Sequence, residues 1–479
     1  MPNFFHGVRT TKGAGSQTVN TAACGIVFAV GTAPVHQVTG NVPDIVLANS
    51  YAEAVEQLGY SDDWGTYTLC EVIYSHFKLA AVAPLLLVNV ADPDTSKESV
   101  EEASMAVVNG QVALPESAIK SSIVVKNNNT PLVVGTDYDV FYQDGNCYIE
   151  AIPGGAMEGI ETVTVAYDSF AFETSDMKAA VIGGYDTKTG KNKGLELVND
   201  CYAMYQVNPD IIIAPGFSSD PEVAAAMAAK ATSVNTVFKA RALVDADCST
   251  VRLYSAVPAW KNENSITNER QIVCWPMGKI GDKMLHMSSR VAAVMATTDS
   301  ANEDCPSESP DNKDIGVSGL CLADGTEVVM NLERANYLNA NGIVTALNFV
   351  GGFKVWGSYT ACYPGETDST KYFIPVARMF DWVGNSMILT YWSRIGGKLN
   401  RRLCESIADS ASIWMNSLTA AGHIYGGRVE FNESENTDEN IMAGVLRPHI
   451  YMAPVSPLVE VDWIQEYDSS YVSSALGTA

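Results

Sequence analysis

Two kinds of apolar pattern alternate along this chain. The runs Ala23-Cys24-Gly25-Ile26-Val27-Phe28-Ala29-Val30-Gly31 and Pro84-Leu85-Leu86-Leu87-Val88-Asn89-Val90 are short and almost wholly apolar. Such runs predict strands covered on both faces, as in a parallel sheet. Between them the period changes. Ser50-Tyr51-Ala52-Glu53 has the order of a capping box, with Gly59 placed as a stop, and Tyr67 to Ala80 continues with helical spacing.

From Ala106 to Phe172 the period falls to two. Ile123-Val124-Val125, Leu132-Val133-Val134, Tyr138 to Tyr142, Cys147 to Glu150 and Val163 to Tyr167 predict strands, and Asp144-Gly145 supplies a hairpin turn. This is a small all-β domain inserted into the α/β chain. After Asp176 the alternation resumes with Ala179 to Gly183, a helix from Gly194 to Tyr205 and the buried strand Ile211 to Ala214. Asp220-Pro221-Glu222 opens another helix as cap, first-turn proline and dipole-matching acid. Ala240 to Val244 predicts a further strand, and the whole implies a parallel sheet interrupted by the β insertion.

The last third reads differently. Ile343 to Val350 and Phe353 to Thr360 flank Gly351-Gly352 and predict a hairpin. Leu399 to Ala421 predicts an amphipathic helix, with Leu399, Leu403, Ile407, Ala411, Trp414 and Leu418 on one stripe and Gly422 as its end. Val445 to Pro454 and Leu458 to Gln465 alternate apolar with polar beside prolines, which confines them to edge strands. An edge this near a chain end invites another chain to pair with it.

Composition narrows the function. The 479 residues are 47% hydrophobic, which supports two to four domains. A net charge of −25 argues against nucleic-acid binding, which needs clustered Lys and Arg. The ten cysteines lie scattered in apolar runs and predict small buried hydrophobes in a reducing compartment. No charged-then-apolar leader opens the chain, and no run approaches the ~18 apolar residues that cross a bilayer, so neither export by signal peptide nor membrane insertion is expected.

Candidate chemistry is sparse. The six histidines occupy no motif of a catalytic base, no Gly-x-Ser-x-Gly elbow exists, and the loops Gly183-Gly184-Tyr185 and Gly190 to Gly194 lack phosphate-cradle spacing. Asp92, Asp94, Asp245 and Asp247 at strand ends read as turn or cap residues. No catalytic residue, metal or cofactor is expected. One alternative stays open: an α/β hydrolase-like enzyme whose β insertion binds substrate, which would require a polar pocket at the strand C-terminal ends.

The order of the C-terminal features resembles the C-terminal half of contractile phage tail sheath proteins, including those of phage-tail-like bacteriocins. The carriers are Trp356-Gly357 with Thr360, the Tyr372-Phe373-Ile374-Pro375-Val376-Ala377-Arg378 segment, the Leu399 to Ala421 helix, and Gly444, Ala453-Pro454, Pro457 and Val459-Glu460-Val461-Asp462. Sheath chains more often carry Ala-Arg after the Trp-Gly, where Ser358-Tyr359 stands here, and a doubled Arg where Ala377-Arg378 stands. The resemblance implies a subtilisin-like α/β core without a catalytic triad and an α+β C-terminal domain with extended arms. Its divisions are an N-terminal arm (1–20), core (21–95 and 176–365), inserted β domain (96–175), assembly domain (366–462) and C-terminal arm (463–479).

Such a subunit is expected to form stacked hexameric rings around an inner tail tube, with baseplate and tail terminator proteins as further partners, in a tail assembled in the bacterial host cytoplasm. Contraction would drive the tube through a target envelope. Strand exchange between subunits is expected at Phe4, Phe5, Val8 and Val19 of the first arm and at Val459, Val461, Trp463, Ile464 and Tyr467 near the other end. The helix face bearing Arg401, Arg402, Glu405, Asp409 and Asn416 is expected to meet the tube.

Overall fold

The computed structural model describes residues 19–475. An eight-stranded sheet forms its centre, in the order Val46–Ala48, Leu85–Asn89, Val27–Gly31, Ile211–Ile213, Arg241–Asp245, Gln271–Cys274, Ile343–Asn348, Phe353–Trp356. The inner strands run parallel, and only the two edge strands run antiparallel to their neighbours. All five residues of Val27–Gly31 are buried because both faces are covered. Val27 and Ala29 join one core with Leu85, Leu87, Ile211 and Ile213, while Phe28 and Val30 join the other with Leu86, Val88 and Ile212. That two-sided burial explains the unbroken apolar runs.

Local signals build the flanking helices. Ser50 Oγ accepts from Glu53 N, the Glu53 carboxylate accepts from Asn49 N, and Tyr51–Leu58 follows, ending at Gly59 with φ 75°. Thr68–Ile73 runs on into a π-helical stretch, Tyr74–Ala80, closed by left-handed Ala81. Asp220 caps Pro221–Thr232 by accepting from Glu222 N. Two expectations change here. Ala179 to Gly183 is not a sheet strand: Lys178–Ile182 is a short helix with only Val181 buried, as suits an alanine-rich run with one core-facing position. Gly194 to Tyr205 is a 3-10 segment, Gly194–Asn199, followed after Asp200 by the α-helix Cys201–Tyr205.

The residues between Lys97 and Phe170 make two further sheets, one of Lys97–Ala106, Thr162–Phe170, Val124–Asn127 and Thr130–Pro131, the other of Gln111–Pro115, Asn146–Ala151 and Tyr138–Gln143. Val112, Leu114, Val125, Val140, Ile149, Val163 and Val165 fill a core of their own. Asp144 and Gly145, at φ 50° and 73°, form the two-residue turn between Tyr138–Gln143 and Asn146–Ala151. Val133 and Val134 are exposed and belong to no strand beyond an isolated bridge, because the Thr130–Pro131 strand stops short of them.

Toward the C-terminus lie two long helices, Ile374–Tyr391 and Arg401–Ala421, and a two-stranded sheet of Ile424–Phe431 and Pro448–Pro454. All ten cysteines are free, eight of them buried. No helix among the described residues is long and apolar enough to cross a membrane.

Candidate assembly surfaces

The first described residues lie along the Ile374–Tyr391 helix. Asn20 N donates to Thr390 Oγ1 at 2.9 Å, Ala22 N donates to Ser386 Oγ at 2.9 Å, and Trp382 Nε1 donates to Ala22 O at 2.8 Å. Ala22 and Cys24 share a core with Met379, Trp382, Met415, Leu418 and Ile424, so the segment entering the fold is held next to the two-stranded sheet. Val19 is half-buried at its start. Phe4, Phe5 and Val8 lie outside the described residues.

The two-stranded sheet has one covered face. Helix Arg401–Ala421 packs on it through Ala411, Met415 and Leu418, against Ile424 and Val429, and Met415 Sδ would stand only 3.0 Å from a Cβ on Gly427. Tyr425, Arg428, Glu430 and Tyr451 face outward. Among the described residues neither outer edge of this sheet has a strand partner. A lone two-stranded sheet is marginal in water, so the helix is what holds it.

After Pro454 the chain has no regular structure until the short C-terminal helix Ser470–Ala475. The strand expected over Leu458 to Gln465 is therefore absent: its alternation is there, but no other described strand of this chain runs beside it, and an extended segment becomes a strand only on a ladder. Val459, Val461, Trp463, Ile464 and Tyr467 are 52, 56, 83, 80 and 84% exposed, so the described residues bury none of them.

The helix expected over Leu399 to Ala421 begins at Arg401, where Asn400 Oδ1 accepts from Leu403 N, and ends at Gly422 with φ 84°. Arg401, Arg402, Glu405, Asp409 and Asn416 are all exposed, and Arg401 Nε donates to Glu405 at 2.7 Å. Of the apolar stripe, Ala411 and Leu418 are buried and Trp414 is half-buried against Trp382, while Leu399, Leu403 and Ile407 are half-buried because the N-terminal half of the helix extends past the sheet it covers.

Buried charge fixes this region to the central sheet. Arg378 in the Ile374–Tyr391 helix donates to both carboxylate oxygens of Asp299 and, at 2.7 Å, to Asp210. One turn on, Asp381 accepts from Arg241 Nε at 2.8 Å and Arg270 Nη1 at 2.6 Å. Arg241 opens a central strand, so the helix is bolted to the sheet from both signs of charge.

A small cleft of about 130 Å³ does lie at the strand C-terminal ends, touching Ser218, Asp245, Asp247 and His286. Its groups are committed to structure. His286 Nδ1 and backbone N both face Glu71, at 3.1 Å, and Ser289 Oγ donates to Glu71 at 2.6 Å. Ser218 and Ser288 donate their hydroxyls to Asp245. No hydrogen bond joins a serine hydroxyl to the His286 ring among the described residues, so no serine of this cleft is activated in the way a triad requires. The hydrolase alternative is set aside on this geometry. Among the described residues, no group of three or more His, Cys, Asp or Glu side chains converges as metal ligands do.

The same cluster predicts a pH dependence. Burial works against the charged His286 ring, but the Glu71 carboxylate, and Asp245 beyond it, outweigh burial and push the imidazole up to about 9. A folded value above the ordinary 6.5 means this stabilisation is complete below about pH 6.5 and lost as pH rises through 9. Unfolding free energies measured from pH 6 to 10 should fall across that window, by up to about 3 kcal/mol. His286→Gln should flatten the fall; an equal fall in the variant would assign it elsewhere.

No protein-family model matches the chain. It is 25% identical over 492 aligned residues to the tail sheath protein of Burkholderia phage BcepMu, covering 99% of both chains. It is 24% identical over 327 residues to a prophage major tail sheath protein of Pseudomonas aeruginosa, covering 67% of this chain and 80% of that one. The fold is shared with the contracted helical sheath of the anti-feeding prophage, at TM-score 0.58 and 14% identity over 96% of this chain and 99% of that one. It is shared also with the contracted sheath of an extracellular contractile injection system, at TM-score 0.57 and 14% identity over 97% and 99%.

The class so defined is a mixed α/β fold shared with these contractile sheath structures. Within it, the chain is similar in sequence to phage and prophage tail sheath proteins, at 25 and 24% identity.

Proposed function

We propose that this subunit polymerises as stacked six-fold rings around an inner tube by lending both of its ends to neighbouring copies. The observation that carries this reading is the presence together, among the described residues, of an unladdered, alternating segment, Leu458 to Gln465, and a two-stranded sheet whose edges have no strand partner. The donated strands are residues 1–18, including Phe4, Phe5 and Val8, and the segment bearing Val459, Val461, Trp463, Ile464 and Tyr467. The receiving sheet is Ile424–Phe431 with Pro448–Pro454. Net hydrogen bonds are worth roughly 1 kcal/mol each, so a strand of about five contributes several kcal/mol per junction.

Head-to-tail donation closes rings or winds helices. The exposed face of Arg401, Arg402, Glu405, Asp409 and Asn416 is the side offered to the tube, and baseplate and terminator proteins bound the polymer. The core is read as subtilisin-like with its catalytic machinery absent. Contraction needs no nucleotide: rigid subunits, each bolted internally through Arg378 and Asp381, move from a strained lattice to a better-packed one while the lent strands keep them joined. The movement drives the tube through an envelope, and the particle forms in the cytoplasm of its bacterial host. Negative-stain microscopy of the purified full chain tests the reading: long hollow striated cylinders are expected, and discrete globules at every concentration would contradict it.

A further inference from the structure

Lys261, in the helix Val257–Glu263, is only 2% exposed. Its Nζ donates to three backbone carbonyls, Asn341 O at 2.5 Å and Ala361 O and Tyr363 O at 2.9 Å each. An ammonium has three N–H groups and a neutral amine two, so three acceptors around one nitrogen fit the charged form. No carboxylate pairs with it among the described residues. Buried Arg241 and Arg378 differ, since they meet Asp381, and Asp210 with Asp299. A buried charge without a counter-ion is costly unless all its donors are met, and here the backbone alone meets them.

The three carbonyls come from separate stretches of chain. Asn341 stands just ahead of the strand Ile343–Asn348, while Ala361 and Tyr363 follow Phe353–Trp356, where the chain leaves the central sheet for the helix Ile374–Tyr391. Ala361 N donates to Gln271 O at 2.8 Å, which anchors that wall to the strand Gln271–Cys274. Gly342, at φ 68°, lets the other wall close: a Cβ there would lie 2.6 Å from Tyr363 O and 2.7 Å from Thr360 O. We infer that the carbonyls of Asn341, Ala361 and Tyr363 form a primary-ammonium site, filled by the chain's own Lys261, that fastens the root of the segment leading to Ile374–Tyr391 onto the sheet. Emptied of that side chain, the site takes a free alkylammonium ion of matching length.

The test compares full-length Lys261→Ala and Lys261→Met with the unaltered chain by thermal unfolding in propylammonium chloride, tetramethylammonium chloride and propanol at equal concentration. Propylammonium carries the three carbons and the nitrogen that the alanine variant lacks. Tetramethylammonium has the charge without an N–H, and propanol has the shape without the charge. Both variants should melt several degrees below the unaltered chain, because three carbonyls lose their donor. Only propylammonium should raise the midpoint of the alanine variant. The methionine variant, whose side chain fills the path, should respond as the unaltered chain does. If the alanine variant does not fold unaided, its refolding yield in the three solutions is compared in the same way. Lys261→Met as stable as the unaltered chain, or an alanine variant helped equally by propanol or by none of the three, would overturn the site. The polymer reading stands or falls separately, since no cylinder enters this measurement.

Discussion

Replacing Arg378 with Met should cost the fold about 3–5 kcal/mol, the usual penalty for stranding a buried charge. The guanidinium is 3% exposed, and Asp299 and Asp210, the carboxylates it joins, are 1 and 14% exposed. Removing it leaves two carboxylates facing each other without a cation, in a site where water cannot compensate. The loss is read as a lowered denaturant or thermal midpoint of the monomer. Arg401→Met makes the control: its side chain is 90% exposed and its pair with Glu405 is a surface i,i+4 bridge, worth roughly 0.3–0.5 kcal/mol. A comparable effect from both variants would show that burial is not what gives Arg378 its weight. Because Arg378 links the Ile374–Tyr391 helix to the sheet, a variant that still folds should also contract poorly, its subunits no longer moving as single bodies.

Removing residues 1–18 should abolish polymerisation without destabilising the monomer. The anchoring contacts of the N-terminal segment begin at Asn20, Ala22 and Cys24, which the truncation keeps. On the proposed reading, what is lost is one donated strand. At roughly 1 kcal/mol for each of about five hydrogen bonds, its absence weakens a junction by about three to four orders of magnitude. Sedimentation of the truncated and full chains at equal concentration measures it: a folded monomer against a pelleting polymer is expected, and equal pelleting would contradict the role given to this arm.

Much of the fold was legible because its signals are local. The Ser50–Glu53 capping box, the Asp220-Pro221-Glu222 start and the Asp144-Gly145 turn each fix backbone geometry within a few residues. The parallel strands were legible because cover on two faces leaves an unbroken apolar run. Ile424–Phe431 was missed because Gly426 and Gly427 interrupt it, and the reason for a glycine there, Met415 pressing on Gly427, comes from a helix about a dozen residues earlier. Leu458 to Gln465 shows the opposite failure: the alternation was read correctly, but pairing is a property of two segments and the second is not in this chain's described fold.

The candidate surfaces divide in the same way. Exposure of the Arg401, Arg402, Glu405, Asp409 and Asn416 face followed from helical periodicity alone. The buried couples of Arg378 with Asp299, and of Asp381 with Arg241 and Arg270, join residues 79 to 140 positions apart, and nothing in periodicity pairs them. Phe349 and Val350 were read as the end of a strand; only the fold shows them projecting past it.

A reconstruction of the assembled polymer, carried to a resolution at which strands separate, examines the Ile424–Phe431 and Pro448–Pro454 sheet directly. The account predicts two added strands on its open edges, one from the first residues of a neighbour and one from a neighbour's Leu458 to Gln465. Edges left bare, or closed by the same subunit's own ends, would contradict it.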